Sequence, residues 1–428
     1  MSVSVPLSGG VSGSFAGSAP RANGQATPRA SLRSTPGVRD RWRTTVEARA
    51  LIMLTATLLA FGLATLYSAS AMVAMQSGHA STHFLLRQLA GIAVGAVLFA
   101  VAAKQDAEFW RGAAWPLMLG ALFLMLLCVL PFTRSIAPTI HGSRRFLFGG
   151  SIQPSEYAKL AVIAWTAMLT IKKGDQLRHL TKGLLPILLV VGTLAVLAAL
   201  EPDLSIAVYY VLLMGVILFA GGVRIGHFVF LGIIAIPVLW SQVQRLQYVL
   251  ERLLGFTEAG AVHREVNFQL QQSLIAVGSG GWFGVGYGEG RQQYGFLPLP
   301  YNDFIGGNIG EEWGFLGIAG VTLLFAAYCW LGFRIAAQAR TPFQRLMAIG
   351  ITFTMVTTAY LHLGVAIGLL PTTGLTLPFI SYGRSNLLLS LLMTGILVNI
   401  GSVRERVHGE PATDPTRGGL GRAAELGA

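Results

Sequence analysis

The chain has 428 residues, of which 53% are hydrophobic and only 12% charged, with a formal net charge of +12 and a mean hydropathy of +0.60. That composition leaves too little polar residue to coat a soluble domain of this size and predicts an integral membrane protein. The positive excess sits mostly in tails and loops, where topology and anionic lipid headgroups account for it, so nothing argues for a nucleic-acid partner.

Residues 1–47 are rich in Ser, Gly, Ala, Pro and Arg, carry no acid before Asp40, and lack the apolar core of a cleavable signal peptide. They read as a disordered basic cytoplasmic tail. Apolar runs long enough to cross roughly 30 Å of hydrocarbon follow. They lie near 50–75, 84–103, 113–132, 153–171, 183–200, 204–221, 225–240, 309–333, 343–370 and 386–401. The expectation is an all-α polytopic domain over 48–402 with about ten transmembrane helices, a large extracellular loop between helices 7 and 8 at about 241–308, and a cytoplasmic tail over 403–428.

Orientation follows from Lys and Arg. Arg21, Arg29, Arg33, Arg39, Arg41, Arg43 and Arg49 crowd the amino-terminal tail. With ten spans, the same side holds Lys104 and Arg111, then Lys172, Lys173, Arg178 and Lys182, then Arg224, then Arg334, Arg340 and Arg345. Both termini are therefore expected in the cytoplasm. The opposite face carries Arg134, Arg144, Arg145, Arg245, Arg252, Arg264, Arg291 and Arg384, an unusual number of outer cations. Cys128 and Cys329 both fall inside apolar spans, which excludes a disulfide framework.

The large loop opens with a mixed stretch, 242–264, that suits an interfacial amphipathic helix. The segment Asn267 to Ser273 is too polar for lipid, and a glycine-rich run follows from Gly278 to Gly288. Its spacing completes no dinucleotide fingerprint and no Walker Lys follows, so it reads as flexible backbone beside aromatic anchors. His and Cys clusters of metal-ligand spacing are missing, and no metal site is predicted.

Acids near the membrane are the scarcer signal. Glu156 and Lys159 stand three apart at the start of a predicted helix, within reach of each other. They form either a structural ion pair or a substrate contact, since an isolated charge in the bilayer costs on the order of 3 kcal/mol. Asp203 follows Glu201 and Pro202 and directly precedes an apolar run, the place of an N-cap. Glu311 and Glu312 open another span, where carboxylates complement the helix dipole. Asp303 lies in the loop stretch Phe296-Leu297-Pro298-Leu299-Pro300-Tyr301-Asn302-Asp303-Phe304. It either caps a turn or is the reactive carboxylate: Pro298 and Pro300 stiffen the approach, and Arg144, Arg145 and Arg291 are predicted on the same side. A carboxylate facing arginines beside a lipid surface suits a diphosphate-linked lipid, and would also suit a proton-coupled carrier.

At these residues the chain resembles the SEDS family (shape, elongation, division and sporulation), the FtsW/RodA type of peptidoglycan polymerase. The landmarks come in order: His141-Gly142-Ser143-Arg144-Arg145-Phe146, Gln153 to Lys159, Glu201-Pro202-Asp203-Leu204, the loop motif 296–304 with Gly310-Glu311-Glu312, and Pro371 to Gly383. The wording Thr373-Gly374-Leu375-Thr376-Leu377-Pro378 and the long basic tail look more like the FtsW division branch than the RodA elongation branch.

The resemblance implies a ten-helix enzyme of the cell inner membrane that joins lipid II units into β-1,4-linked glycan strands, with Asp303 in the position of the family's catalytic Asp. It implies inverting transfer, with Asp303 as general base toward the acceptor hydroxyl. Substrate contacts are expected from Arg144, Arg145, Glu156, Lys159, Asp203, Arg291, Ser381, Tyr382 and Arg384. No organic cofactor is implied, a divalent cation is compatible with the diphosphate, and the partners would be lipid II, a class B penicillin-binding protein that supplies transpeptidation, and other division proteins. A flippase for the lipid-linked precursor is the competing class. Leu299 and Tyr301 stand where the family usually has Glu and His, Asn302 replaces the common Thr, and Arg384 interrupts the usual Tyr-Gly-Gly-Ser-Ser.

Overall fold

The computed structural model describes residues 39–133, 135–138, 144–147, 149–150, 152–229, 231–233 and 265–407. Two units are distinguished: 42–405, and a second made of Met1–Arg41 with Arg406–Ala428, of which few residues are described. Strand β1 (Arg39–Thr44) pairs with β2 (Ser402–Val407) in a two-stranded sheet. The expected tail thus gives way to regular structure by Arg39, ahead of the predicted limit at 47; residues 1–38, and the predicted interfacial stretch 242–264, lie outside the described residues.

The helices are α1 (Val46–Gln76), α2 (His83–Lys104), α3 (Phe109–Val129), α4 (Pro154–Lys173), α5 (Leu185–Leu200), α6 (Leu204–Ala220), α7 (Glu265–Gly280), α8 (Ile305–Ala337), α9 (Pro342–Ala366) and α10 (Arg384–Ile400). Their starts follow local chemistry. Thr45, Asp203 and Thr341 cap α1, α6 and α9 by accepting from the Ala48, Ile206 and Gln344 N–H groups. Proline opens α4 and α9, where its missing N–H costs nothing.

Among the described residues, α1, α2, α3, α8, α9 and the segment Leu180–Leu200 are long and apolar enough to cross a membrane; α6 and α10 are apolar but shorter. The protein is therefore a multi-pass, mostly helical membrane protein. The predicted run 225–240 is helical at 225–229 and 231–233, and its remainder lies outside the described residues.

The core forms around α4, whose side chains are buried almost without interruption from Pro154 to Thr170, and around α9 and α10. Trp165, Tyr210, Tyr328 and Phe325 are among the largest side chains fully enclosed there. Helices whose outward faces meet lipid instead keep large apolar residues exposed, such as Val97 on α2 and Phe123 on α3.

Two expectations change. The polar segment 267–273 is not loop: it belongs to α7, whose Leu270, Ser273 and Ala276 are buried. Ile305 opens α8 four residues before the predicted span, and Gly314 breaks it with φ +66° and ψ −159°. Glu311 and Glu312 accordingly sit at the end of a short first segment, 305–313, and not at a helix start where the dipole would favour them.

Candidate active site

Asp303 occupies the turn 301–304 that feeds α8. Two loops are stitched together around it. The Tyr382 N–H donates to Tyr301 O at 2.9 Å. Ser381 Oγ donates to Asn302 O at 2.9 Å and accepts from the Leu377 N–H at 2.9 Å, while Gln88 Nε2 donates to Ser381 O at 3.2 Å. Phe84, Tyr301 and Tyr382 form an aromatic cluster, with ring centroids 4.6 Å apart for Phe84–Tyr301 and 5.8 Å for Tyr301–Tyr382. Burial, then the neighbouring Tyr382 and Asp303, pushes the Tyr301 phenol above its usual pKa. Tyr301 is an aromatic wall of the site beside Asp303.

Asp303 lines a cleft of about 540 Å³. Arg145, Gln269, Leu299, Tyr301, Tyr382 and Arg384 share its lining with Asp303. Asp303 also borders a smaller cavity of about 50 Å³, lined by Gln269, His362 and Thr372 among others. His362 accepts from the Gly306 N–H at 3.3 Å through Nε2, and its Nδ1 lies 2.8 Å from Leu375 O. A carbonyl can only accept, so Nδ1 carries the proton and the neutral ring clamps the first turn of α8 to α9.

Arg145 stands 3.6 Å from Asp203 Oδ2 and packs its guanidinium 5.5 Å from the centre of the Phe146 ring. Asp203 does two things at once, since its Oδ1 caps α6. Next to it, Glu201 is buried with neither carboxyl oxygen hydrogen bonded among the described residues. Burial, reinforced by the negative Asp203 and only partly offset by Arg145, pushes its pKa up to about 9.

Beneath the cleft lies a buried polar layer. Lys159 Nζ is 2.7 Å from Glu156 Oε1 and 5.5 Å from the centre of the Tyr209 ring. Asn386, which lines the cleft, donates to Glu156 Oε2 at 3.3 Å and accepts from Ser390 Oγ at 3.2 Å. Glu156 and Lys159 are 5% and 1% exposed, do not line the cleft, and form the ion pair that their spacing allows.

The structure places the expected contact residues differently relative to this cleft. Arg144 does not line the cleft: its guanidinium is spent on Ala137 O, Leu130 O and Thr133 Oγ1, at 3.2, 2.8 and 3.2 Å, bracing its own loop. The Arg291 side chain is exposed and outside the cleft lining. Ser381 is buried behind the wall that Tyr382 presents. Asp203 does not line the cleft but contacts Arg145, which does. Of the expected set, Asp303, Arg145, Tyr382 and Arg384 meet at one cleft.

Gln269, His362 and Asn386 were not singled out from sequence. Gln269 had a signal, because it belongs to a polar stretch beside apolar spans. His362 had none, being one polar residue inside an apolar helix. Among the described residues, no group of three or more His, Cys, Asp or Glu side chains is placed to hold a metal ion.

Known proteins share this architecture. The family model FTSW_RODA_SPOVE, described as cell cycle protein, matches residues 49–406. The chain is 35% identical over 363 residues to a probable peptidoglycan glycosyltransferase FtsW of Geobacter sulfurreducens, covering 84% of this chain and 96% of that one. It is 37% identical over 356 residues to stage V sporulation protein E of Bacillus subtilis, covering 82% and 95%. A solved chain from a peptidoglycan synthase complex that coordinates polymerization and crosslinking superposes with a TM-score of 0.67 at 25% identity, covering 82% of this chain and 97% of its own length. The rod shape determining protein RodA of Thermus thermophilus shares the fold, with a TM-score of 0.55 at 23% identity over 82% of this chain and 95% of its own. A match that runs from the first membrane helix through the last, with relatives above the identity at which family is secure, means that this chain belongs to the FtsW, RodA and SpoVE family of cell cycle proteins.

Proposed function

We propose that this protein is a peptidoglycan glycosyltransferase that polymerises lipid II during cell division, with Asp303 as the general base. The observation that carries the reading is the meeting of Asp303 with Arg145 and Arg384 at one cleft, on a chain whose relatives bear the name peptidoglycan glycosyltransferase FtsW.

A sugar hydroxyl is a poor nucleophile at neutral pH, so a carboxylate within hydrogen-bond reach must take its proton as the new bond forms. Asp303 accepts the proton of the acceptor GlcNAc 4-hydroxyl. The oxygen attacks the anomeric carbon of the donor MurNAc as the bond to undecaprenyl diphosphate breaks, so an α-linked donor gives a β-1,4 product without a covalent enzyme intermediate, as in inverting glycosidases. The departing diphosphate needs positive charge, which Arg145 and Arg384 supply. Arg145 is pre-aimed by Asp203, which reduces the reorganisation needed as that charge develops. Tyr301, Tyr382 and Leu299 offer the sugar aromatic and apolar walls. The distribution of Lys and Arg favours cytoplasmic termini and an outward-facing cleft in the inner membrane. A class B penicillin-binding protein as partner fits the complex in which the similar solved chain was found.

A carrier that flips the lipid-linked precursor is the second reading, favoured by the buried polar layer of Glu156, Lys159, Asn386 and Ser390 beneath the cleft. Purified protein given lipid II in detergent separates the two. Glycan product from the wild type and none from a folded Asp303→Asn variant is the expected result; vesicle translocation without product would favour the carrier, and a fully active Asp303→Asn variant would reject the base.

A further inference from the structure

The glycine-rich run read from sequence as flexible backbone is a clasp around the break in α8. In an unbroken helix the carbonyls of Glu311 and Glu312 would accept from the N–H groups of Phe315 and Leu316. Here those carbonyls accept from Val285 and Gly286, at 2.9 and 3.3 Å, and the freed N–H groups donate to Gly281 O and Trp282 O, at 2.8 and 3.2 Å. Each of these helical bonds is replaced by one bond on each side of the break, so 305–313 stands as a separate short segment whose Glu311 and Glu312 carbonyls are satisfied. Asp303 lies two residues before it.

Two buried acids lock that segment. Glu312 accepts from Ser68 Oγ on α1, a contact across 244 residues of sequence. Glu311 Oε1 accepts from the Arg291 N–H at 2.7 Å, and its Oε2 from the Gln292 N–H at 3.2 Å, which fixes the start of the loop that ends at Asp303. Both acids are 2% exposed and neither lines the cleft. Buried carboxylates in a membrane protein are unfavourable unless they are hydrogen bonded, and both of these bond to partners outside their own helix.

We propose that Glu312, through Ser68, and Glu311, through the Arg291 and Gln292 N–H groups, are positioning residues that hold the segment 305–313 against α1 and so set where the Asp303 carboxylate stands in the cleft. The inference rests on the glycosyltransferase reading. A misplacement of about 1 Å at a reacting group costs on the order of a hundredfold in rate, and Glu312 acts on Asp303 through the rigid segment between them.

The test is lipid II polymerisation by full-length protein, with kcat expressed per folded enzyme as judged by monodispersity and thermal unfolding. Ser68→Ala and Glu312→Ala are expected to lower kcat about tenfold or more while KM changes little. Glu312→Gln, whose amide oxygen still accepts from Ser68, should recover much of the loss. The double variant Ser68→Ala/Glu312→Ala should be scarcely worse than Glu312→Ala, because both remove one contact. Wild-type kcat per folded molecule in the Ser68 and Glu312 variants, or a fully additive double variant, would overturn the proposal. Asp303→Asn run alongside separates the two levels: if it is inactive while the Ser68 and Glu312 variants keep wild-type kcat, only the positioning role fails; if it is active, the underlying reading fails.

Discussion

Lys159 Nζ lies 2.7 Å from Glu156 Oε1, and the two side chains are among the least solvent-exposed charged groups in the described structure. Removing one partner leaves the other charged and unpaired in the core, at a cost of about 3–5 kcal/mol. Lys159→Ala should therefore lower the unfolding temperature in detergent sharply, whereas Glu156→Gln/Lys159→Met, which removes both charges at similar volume, should be much milder. Thermal unfolding of the three proteins decides it, and equal losses would contradict the pair as the source.

Arg384 and Arg144 should behave differently. Arg384 and Arg145 line the cleft, so Arg384→Ala should reduce kcat/KM by about 10- to 100-fold, the loss of a charge-assisted bond worth about 1.5–3 kcal/mol. Arg144 instead braces three oxygens of its own loop. Arg144→Ala should cost stability first, and activity per folded molecule should fall less than in Arg384→Ala. Steady-state kinetics with matched unfolding curves test the contrast.

Glu201 gives a pH signature. Its folded pKa of about 9 lies above the unfolded value near 4.5, so the folded state holds a proton that the unfolded state releases across that window. Folding stability contributed at this site is complete below about 4.5 and declines as pH rises toward about 9. Glu201→Gln, which cannot ionise, should raise the unfolding temperature relative to wild type at pH 8 and change it little at pH 4.5. A stabilisation that is the same at both values would show that ionisation is not the cause.

The clasp at the α8 break makes a prediction about two glycines of similar backbone. A Cβ on Gly284, at φ +83°, would stand 2.1 Å from Glu312 O, while one on Gly288, at φ +79°, would meet open space. Gly288→Ala should cost only the left-handed strain, about 1–2 kcal/mol. Gly284→Ala adds a clash with backbone that cannot move without breaking the clasp, so it should accumulate poorly or unfold at much lower temperature. Comparable stability of the two variants would refute the close approach.

Some local features around the cleft were legible in the sequence. Asp303 stood out as an acid in a proline-stiffened loop, and Asp203 as a cap, because both signals are local: a residue type at a fixed offset from a helix start or a turn. The Glu156–Lys159 pair was legible for the same reason, since residues three apart share a helix face. The glycine run was misread because glycine's local meaning is freedom, and only the approach of Glu311 and Glu312 from more than twenty residues away turns that freedom into a requirement.

What the amino-acid order settled alone is the class of molecule and the residue types available for chemistry, because transfer to lipid and helix periodicity depend on each segment by itself. Which of the two adjacent arginines lines the cleft with Asp303 was decided only in three dimensions. Arg144 and Arg145 are adjacent in sequence, yet one is consumed by carbonyls of its own loop and the other is held toward the cleft by Asp203. That choice depends on how the loop folds back around Arg144 and on Asp203 being brought to Arg145 from the start of α6 by packing.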